Sequence, residues 1–231
     1  MVYLFRRSHK LPLCLELLFA PLSDLRRVHV LGTRPVMGVA QLRAGNLCDG
    51  DWDEGSALLL KQEKYRALRR RFADGLDWEE TGLPDYIRKR IARRGVFDGC
   101  RTERDIVERC ARADAVFQQV RHDMRVRVPY EINPSARAQR YGIWAHLARD
   151  GRFLFGSRGH HRVTMASVLG LTEVPISLAM VHPQAVEAGH LERLRGARAE
   201  RLEELKLDLP RRAMSIRRAG PGTLRRRLKL G

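Results

Sequence analysis

Apolar residues recur at intervals of three and four through the middle third of the chain, and this spacing predicts amphipathic helices. The first helix is expected from Ser56 to Gly75, the second from about Pro84 to Arg94, and the third after Thr102-Glu-Arg-Asp105, which resembles a capping box. The apolar positions that carry the first and third of these predictions are Leu58, Leu59, Tyr65, Leu68, Phe72, Ile106, Cys110, Ala113, Val116, Phe117 and Val120.

Short apolar or alternating runs on both sides of this helical block predict strands. Before it, residues 28–31 form a strand candidate, and residues 11–22 are expected to be a packed helix or strand. After it, residues 125–129 read as a strand end and residues 143–148 as a strand. An Asp-Gly turn leads into the strand Phe153–Phe155. A further strand is expected over residues 172–181.

A glycine-rich turn joins the last two of these strands through a short helix. It runs from Gly156 through Ser157, Arg158 and Gly159 to His160-His-Arg162, and its helix is closed by Gly170. The order of hairpin, turn, helix and strand predicts an α/β (α+β) domain with a small mixed sheet. We expect this domain over residues 46–185, with a helical insertion at about residues 56–122.

The two ends of the chain are expected to be appendages to this domain. Residues 1–45 form an N-terminal extension, residues 186–209 a charged helix, and residues 210–231 a disordered tail with eight basic residues and no acidic one. The arginines ahead of residues 11–22 imitate a signal peptide. However, Glu16 interrupts the apolar run and no small-residue cleavage site follows.

The formal net charge is +17, which favours partners that carry phosphate, such as nucleic acid. Arg greatly outnumbers Lys, and a GC-rich genome would give the same bias without any selection for binding. The four cysteines match no zinc-ligand spacing, and no apolar run is long enough to span a membrane. These features predict a cytoplasmic protein with reduced thiols.

The glycine turn carries the most specific chemistry in the chain. A loop that opens a helix leaves backbone N–H groups free to bind an anion. We expect Gly159 to let the backbone approach a phosphate, and Arg162 to hold it with a charged fork, supported by Ser157, Arg158 and His160. A plain tight turn, with the arginine pairing a neighbouring carboxylate, is the alternative.

His161 is the candidate acid or base, because histidine titrates near neutral pH. The alternative is a structural histidine that bonds a backbone carbonyl. The acidic segment Asn46–Gly55 supplies two further candidates, Asp51 and Asp53, as Mg²⁺ ligands or as a catalytic base. A solvated turn is the alternative for this segment.

The stretch Asp150-Gly-Arg-Phe-Leu-Phe-Gly-Ser-Arg-Gly-His-His-Arg162, followed by Val174-Pro-Ile176, resembles the core motif of the ParB/sulfiredoxin-like fold superfamily. Two upstream segments are similar to uncharacterised bacterial and archaeal members of that superfamily. They are Gly50-Asp-Trp-Asp53 and Arg71-Phe-Ala-Asp-Gly-Leu-Asp-Trp-Glu-Glu-Thr81. The matching pieces span about residues 46–182.

The resemblance implies a nucleotide ligand. The motif of this chain nevertheless differs from the motif of each known branch of the superfamily. His160 stands where sulfiredoxins have the nucleophilic cysteine, so reduction of a sulfinic acid is not expected. ParB proteins carry a motif similar to Gly-Glu-Arg-Arg at this position, bind CTP and continue into a helix-turn-helix, whereas in this sequence one charged helix and a basic tail are expected to follow. Free-serine kinases are similar to Arg158-Gly-His-His-Arg162, but they carry an acidic residue in place of Arg158.

The leading expectation is therefore binding of ATP, ADP or CTP with Mg²⁺, or of another phosphorylated ligand, at the Gly156–Arg162 turn. If the protein is an enzyme, a phosphotransferase or nucleotide hydrolase is the expected class. The alternative is a DNA- or RNA-associated protein that uses residues 210–231 and an arginine-rich surface. A catalytically inert scaffold is the third hypothesis.

Overall fold

The computed structural model describes residues 15–29, 46–135, 138–156 and 158–214. A mixed sheet forms the centre of this part of the chain. Its strands are β1 (Glu16–Pro21), β2 (Arg27–His29), β3 (Asn46–Leu47), β4 (Ser56–Leu58), β5 (Ile143–Leu147), β6 (Phe153–Phe155) and β7 (Glu173–Val181). Their order across the sheet is β1-β7-β5-β6-β2-β4, and β3 pairs with β7.

Helices lie between and after these strands. They are α1 (Glu63–Phe72), α2 (Trp78–Thr81), α3 (Leu83–Arg94), α4 (Glu103–Asp123), α5 (Pro129–Ile132), α6 (His160–Val168), α7 (Pro183–Glu187), α8 (His190–Glu204) and α9 (Arg211–Met214). Short 3₁₀ turns are formed by Asp24–Arg26, Leu59–Lys61 and Ala138–Tyr141. No helix of the described residues has the length and apolarity that crossing a membrane would require.

The two central strands explain the apolar runs of the sequence. β5 is buried along its whole length, and β7 is buried at every residue after Glu173. These strands are parallel to each other, and strands covered on both faces read as nearly continuous apolar sequence. β5 and β6 form the antiparallel hairpin predicted from the Asp-Gly turn.

One face of the sheet carries the main core, which α1, α4 and α6 cover. Alternate residues of β5, Ile143, Ala145 and Leu147, belong to this core together with Leu68 of α1. α1 and α6 contact each other directly, and the Tyr65 hydroxyl lies 3.2 Å from the Ser167 hydroxyl. On the opposite face of the sheet, Trp144 packs with Leu15 and Ala179 in a second, smaller apolar cluster.

The fold confirms the predicted mixed α/β class and most of the predicted elements. Thr102 caps α4, with its hydroxyl accepting from the Asp105 backbone N–H as expected. The Gly170-terminated helix and the strand after it are also present. α1 to α4 all lie between β4 and β5, in the region expected to be a helical insertion.

Three predicted boundaries were wrong, each for a physical reason. Ser56–Leu58 is an edge strand paired with β2, so the first helix begins only at Glu63. Residues 125–128 are not a strand, because Pro129 starts α5, where its missing N–H costs nothing. The charged segment is divided into α7 and α8 at Gly189, which has a φ of +73°.

The terminal predictions are only partly covered by the described residues. β1 lies within residues 11–22, so that segment contains a strand. The expected disordered tail begins with a helical turn, α9, and residues 215–231 lie outside the described part. Of the predicted strand at residues 28–31, residues 28 and 29 belong to β2 and the other two are not described.

Candidate functional site

Gly159 is the N-cap of α6 and needs to be glycine for reasons of packing. Its φ is +90°, and a Cβ atom at this position would lie 2.9 Å from the Ile143 Cα and 2.8 Å from its Cγ1. The turn is therefore pressed against the first residue of β5. This contact accounts for the glycine independently of any ligand.

The two arginines of the turn bind backbone carbonyls. Arg158 donates to the Arg140 carbonyl at 3.3 Å, and its guanidinium lies 4.6 Å from the centre of the Trp144 ring. Arg162 donates to the Tyr141 carbonyl, and burial lowers the pKa of its guanidinium. Both side chains thus hold the 3₁₀ turn Ala138–Tyr141. The fifth predicted ligand residue, Ser157, lies outside the described residues.

His160 faces the main core at the start of α6. Its Nε2 lies 2.7 Å from the Gln62 Oε1, and its ring stands edge-on to Phe155, with centroids 4.8 Å apart. Burial lowers the pKa of His160 to about 4, and the positive charge of Lys64 contributes. The imidazole is therefore neutral at physiological pH.

His161 differs from His160 in having an unsatisfied nitrogen. Its Nε2 is buried and has no hydrogen-bond partner among the described residues. Burial holds the pKa of His161 well below its ordinary value, and the charges of Lys64 and Arg109 lower it further. Polar atoms in such a position are uncommon in folded proteins and call for an explanation.

A charged cluster from three separate elements lies next to these histidines. It consists of Lys64 of α1, Asp98 in the loop before α4, and Arg109 of α4. The Asp98 Oδ2 accepts from both the Lys64 Nζ and the Arg109 Nη2, the latter at 2.6 Å. We call these three residues together with His161 the K64–H161 cluster.

This cluster carries a surplus of positive charge. Two cations share one carboxylate, and the Arg109 Nε is a second buried nitrogen without a partner among the described residues. Burial alone would raise the pKa of Asp98, but Lys64 and Arg109 outweigh it and hold that pKa below its usual value. The pKa of Lys64 is lowered, mainly by burial. The side chains of Lys64, Asp98 and Arg109 are 11%, 24% and 24% exposed.

The sequence predictions missed the K64–H161 cluster apart from His161. Lys64, Asp98 and Arg109 belong to no motif, and the fold alone brings them together. The one local signal was Asp98-Gly99, a dipeptide typical of tight turns, between two helices.

Asp51 and Asp53 are not brought together with His161. Arg149, two residues after β5, donates to Asp53 from its backbone N at 2.8 Å and from Nη2 at 2.7 Å, and to Asp51 at 3.0 Å. The glycine turn instead contacts Ile143, at the other end of β5. Since strands rise about 3.4 Å per residue, the two ends of β5 are roughly 14 Å apart along the strand, and the two places lie beyond opposite ends.

The acidic segment does not fit a metal site. The Asp53 side chain is only 3% exposed and is occupied by Arg149, whose hydrogen bonds keep the pKa of the carboxyl low although burial alone would raise it. Within the described ranges, no group of three or more His, Cys, Asp or Glu residues could hold a metal ion. We therefore assign no step to Mg²⁺.

A cavity of about 560 Å³ lies at this same hairpin end of the sheet. Among the residues that line it are Asp24, Arg27, Asp53, Arg149, Asp150 and Arg152. Four of these charges are paired with one another, Asp53 with Arg149 and Asp150 with Arg152. The pairing leaves the cavity with no strong preference for one ligand charge.

The cysteines of the described residues are poor nucleophiles. Cys100, 1% exposed, follows the Asp98 turn, and burial raises the pKa of its thiol. Burial also raises the pKa of Cys48, and that of Cys110 to about 11. The raised pKa values favour the protonated form of these three thiols, which is the less nucleophilic form.

Comparison with known proteins identifies no relative. No protein-family model matches the chain, and neither a curated protein nor a solved structure does. The resemblance to the ParB/sulfiredoxin-like superfamily accordingly stays a prediction from the motifs quoted above.

Proposed function

We propose that this protein binds a nucleotide or another phosphorylated ligand at the start of α6, beside the Gly156–Arg162 turn. The observation that carries the proposal is the partly buried positive surplus of the K64–H161 cluster, with buried nitrogens on Arg109 and His161 that have no partner among the described residues. An anion would supply both the missing charge and the missing hydrogen-bond acceptors.

The helix itself supports the same ligand class. His160, His161 and Arg162 form the first turn of α6, where backbone N–H groups have no partner within the helix. The positive end of the helix dipole adds to the charges of Lys64 and Arg109. A phosphate oxygen therefore meets fixed donors from the backbone and side-chain donors from two other helices.

The proposal changes the roles of the residues predicted from the sequence. Arg158 and Arg162 stabilise the turn through backbone carbonyls, and Lys64 and Arg109 replace them as the cationic ligands. His161, predicted from the sequence as an acid or base, becomes a neutral hydrogen-bonding group that contacts the ligand. Phosphoryl transfer or nucleotide hydrolysis stays a prediction, because the two candidate aspartates lie at the far end of β5.

Calorimetric titration of the full chain with ATP, ADP, CTP and inorganic phosphate, each with and without Mg²⁺, tests the proposal. We expect at least one ligand to bind. Lys64→Met should weaken that binding by tenfold or more, since it removes a desolvated charge (about 1.4 kcal/mol per factor of ten).

Lys89→Met is the matched control, because it removes the same charge from an exposed position on α3. It should leave the affinity within about twofold, as expected for a screened surface charge. Absence of binding to every ligand by the wild-type protein contradicts the proposal. Equal losses in the two variants would show that only net charge matters.

A further inference from the structure

Asp98 lies in a turn that presents its carboxylate to the cluster. Asp98 and Gly99 have φ angles of +55° and +85°, and Phe97 and Cys100 exchange two backbone hydrogen bonds around them, at 3.0 and 2.9 Å. Positive φ at both central residues defines a type I′ turn, which Asp-Gly favours. The turn fixes the backbone, while the Asp98 side chain stays partly exposed.

The Asp98 carboxylate occupies the donors that an anionic ligand would need. Its Oδ2 accepts from Lys64 and Arg109 together, and these are the two cations of the cluster. The match is incomplete, since the Arg109 Nε and the His161 Nε2 are left without partners among the described residues. One carboxylate therefore neutralises half of the charge and satisfies only part of the donor set.

We propose that Asp98 is the internal counter-anion of the K64–H161 cluster, and that the ligand is a doubly charged terminal phosphate that displaces it. This inference rests on the proposed function and adds the charge class of the ligand. Displacement requires only rotation of the Asp98 side chain toward solvent, with the turn unchanged. Lys64 and Arg109 then face the two negative charges of a phosphate monoester.

Charge selectivity follows from competition with Asp98. A singly charged ligand, such as a phosphodiester or a carboxylate, offers the cations no more charge than Asp98 does. It also competes with a group that is tethered at the site and therefore present at high effective concentration. A doubly charged phosphate neutralises both cations and supplies more oxygens than one carboxylate, so it alone gains from the exchange.

The test compares two ligands that share a nucleoside, adenosine 5′-monophosphate and adenosine 3′,5′-cyclic monophosphate. At pH 7.5 adenosine 5′-monophosphate is mostly doubly charged, because the second pKa of a phosphate monoester is about 6. The cyclic monophosphate is a diester and carries a single charge. Titration of the wild-type full chain should give at least about tenfold tighter binding of the monoester.

Asp98→Asn is the informative variant, because asparagine tolerates the left-handed backbone and removes the charge. We expect it to bind the cyclic ester at least about tenfold more tightly than the wild type does, so that the preference for the monoester narrows. Asp98→Glu keeps the carboxylate and should keep the preference. Urea unfolding of both variants shows that the comparison is made on folded protein.

The outcomes separate this inference from the proposed function. Equal wild-type affinity for the two esters overturns the displacement of Asp98 while leaving an anion site in place. Weaker binding of both esters by Asp98→Asn also overturns it, since Asp98 would then be positioning Lys64 and Arg109 for the ligand. Failure of both esters and inorganic phosphate to bind the wild type and Asp98→Asn removes both proposals.

Discussion

Gly159 is the residue of the turn whose identity is most tightly constrained by structure. Gly159→Ala would place a methyl group against the Ile143 backbone in a left-handed conformation, so we expect it to lower the free energy of unfolding by about 2–4 kcal/mol. Urea denaturation measures this change. Gly170→Ala is the control, because its φ is +70° but open space surrounds the added Cβ, and it should cost only about 1 kcal/mol. Equal decreases in the free energy of unfolding in the two variants would show that the Ile143 contact is unimportant.

His160 should make the stability of the protein depend on pH. Its pKa in the folded state is about 4, whereas a histidine in an unfolded chain titrates near 6.5. As the pH falls through this window the unfolded chain binds the proton first. The free energy of unfolding therefore decreases toward pH 4, by up to about 1.4 kcal/mol per pH unit for this group.

The measurement is urea denaturation of wild type and His160→Gln between pH 5 and 7.5. As the pH falls over this range, the free energy of unfolding should decrease less in the variant than in the wild type. The difference between the two slopes against pH should correspond to about one proton. The pKa of His161 is also lowered, so this residue accounts for any pH dependence of the free energy of unfolding that remains in the variant. The carboxyl groups of Asp53 and Asp98 have lowered pKa values, so they change the pH dependence of stability mainly below about pH 4. Identical slopes in the two proteins would contradict a buried, neutral His160.

At the scale of elements, a buried ion pair attaches α8 to the edge of the sheet. Glu16 of β1 is fully buried and accepts from the Arg195 Nε at 2.8 Å, the Arg195 Nη2 at 2.9 Å and the Arg198 Nη1 at 3.0 Å. Glu16→Gln removes the buried carboxylate charge that Arg195 and Arg198 share. We expect it to lower the free energy of unfolding by about 3 kcal/mol and to speed hydrogen exchange in α8.

Glu192→Gln tests whether this loss depends on burial. Glu192 pairs with the same Arg195, but its side chain is 50% exposed, so the change should cost no more than about 0.5 kcal/mol. If the two substitutions have the same effect, α8 is held by its apolar contacts, such as Leu191, and the ion pair is incidental.

The elements that could be predicted are those specified by neighbouring residues. The β5–β6 hairpin follows from Asp150-Gly151, and the ends of α6 follow from Gly159 and Gly170. The K64–H161 cluster could not be predicted, since its residues come from α1, the Asp98 turn, α4 and α6. Local patterns predict elements, whereas this cluster depends on how the elements pack.

The same limit explains why the turn arginines were assigned to a ligand. A sequence shows that Arg158 and Arg162 can donate hydrogen bonds, but it does not show that the carbonyls of residues 140 and 141 lie within reach. The 3₁₀ turn that carries these carbonyls is separated from the arginines by the whole β5–β6 hairpin. Its position is decided by the register of the sheet.

At the scale of the whole molecule, the net charge of +17 supports the alternative function, association with nucleic acid. Many of the arginines in the described region are engaged within the protein, as Arg71, Arg88, Arg149 and Arg195 are with carboxylates. Residues 215–231, outside the described part, contain six Lys and Arg residues and no acidic residue. This segment is therefore the best source of phosphate contacts in the sequence.

We expect the full chain to bind duplex DNA with an affinity that falls steeply with salt. Replacing the six basic residues of 215–231 by Gln should make the slope of log K against log salt shallower by up to about five, because each phosphate contact contributes about 0.9. Lys64→Met should leave that slope unchanged, since Lys64 is almost buried and bound to Asp98. An unchanged slope in the six-residue variant would exclude this segment as the nucleic-acid contact. A shallower slope in Lys64→Met would instead place the duplex at the K64–H161 cluster, where only a small ligand is expected. The two variants thus distinguish a surface that attracts polyanions from a partly buried site that selects one phosphate group.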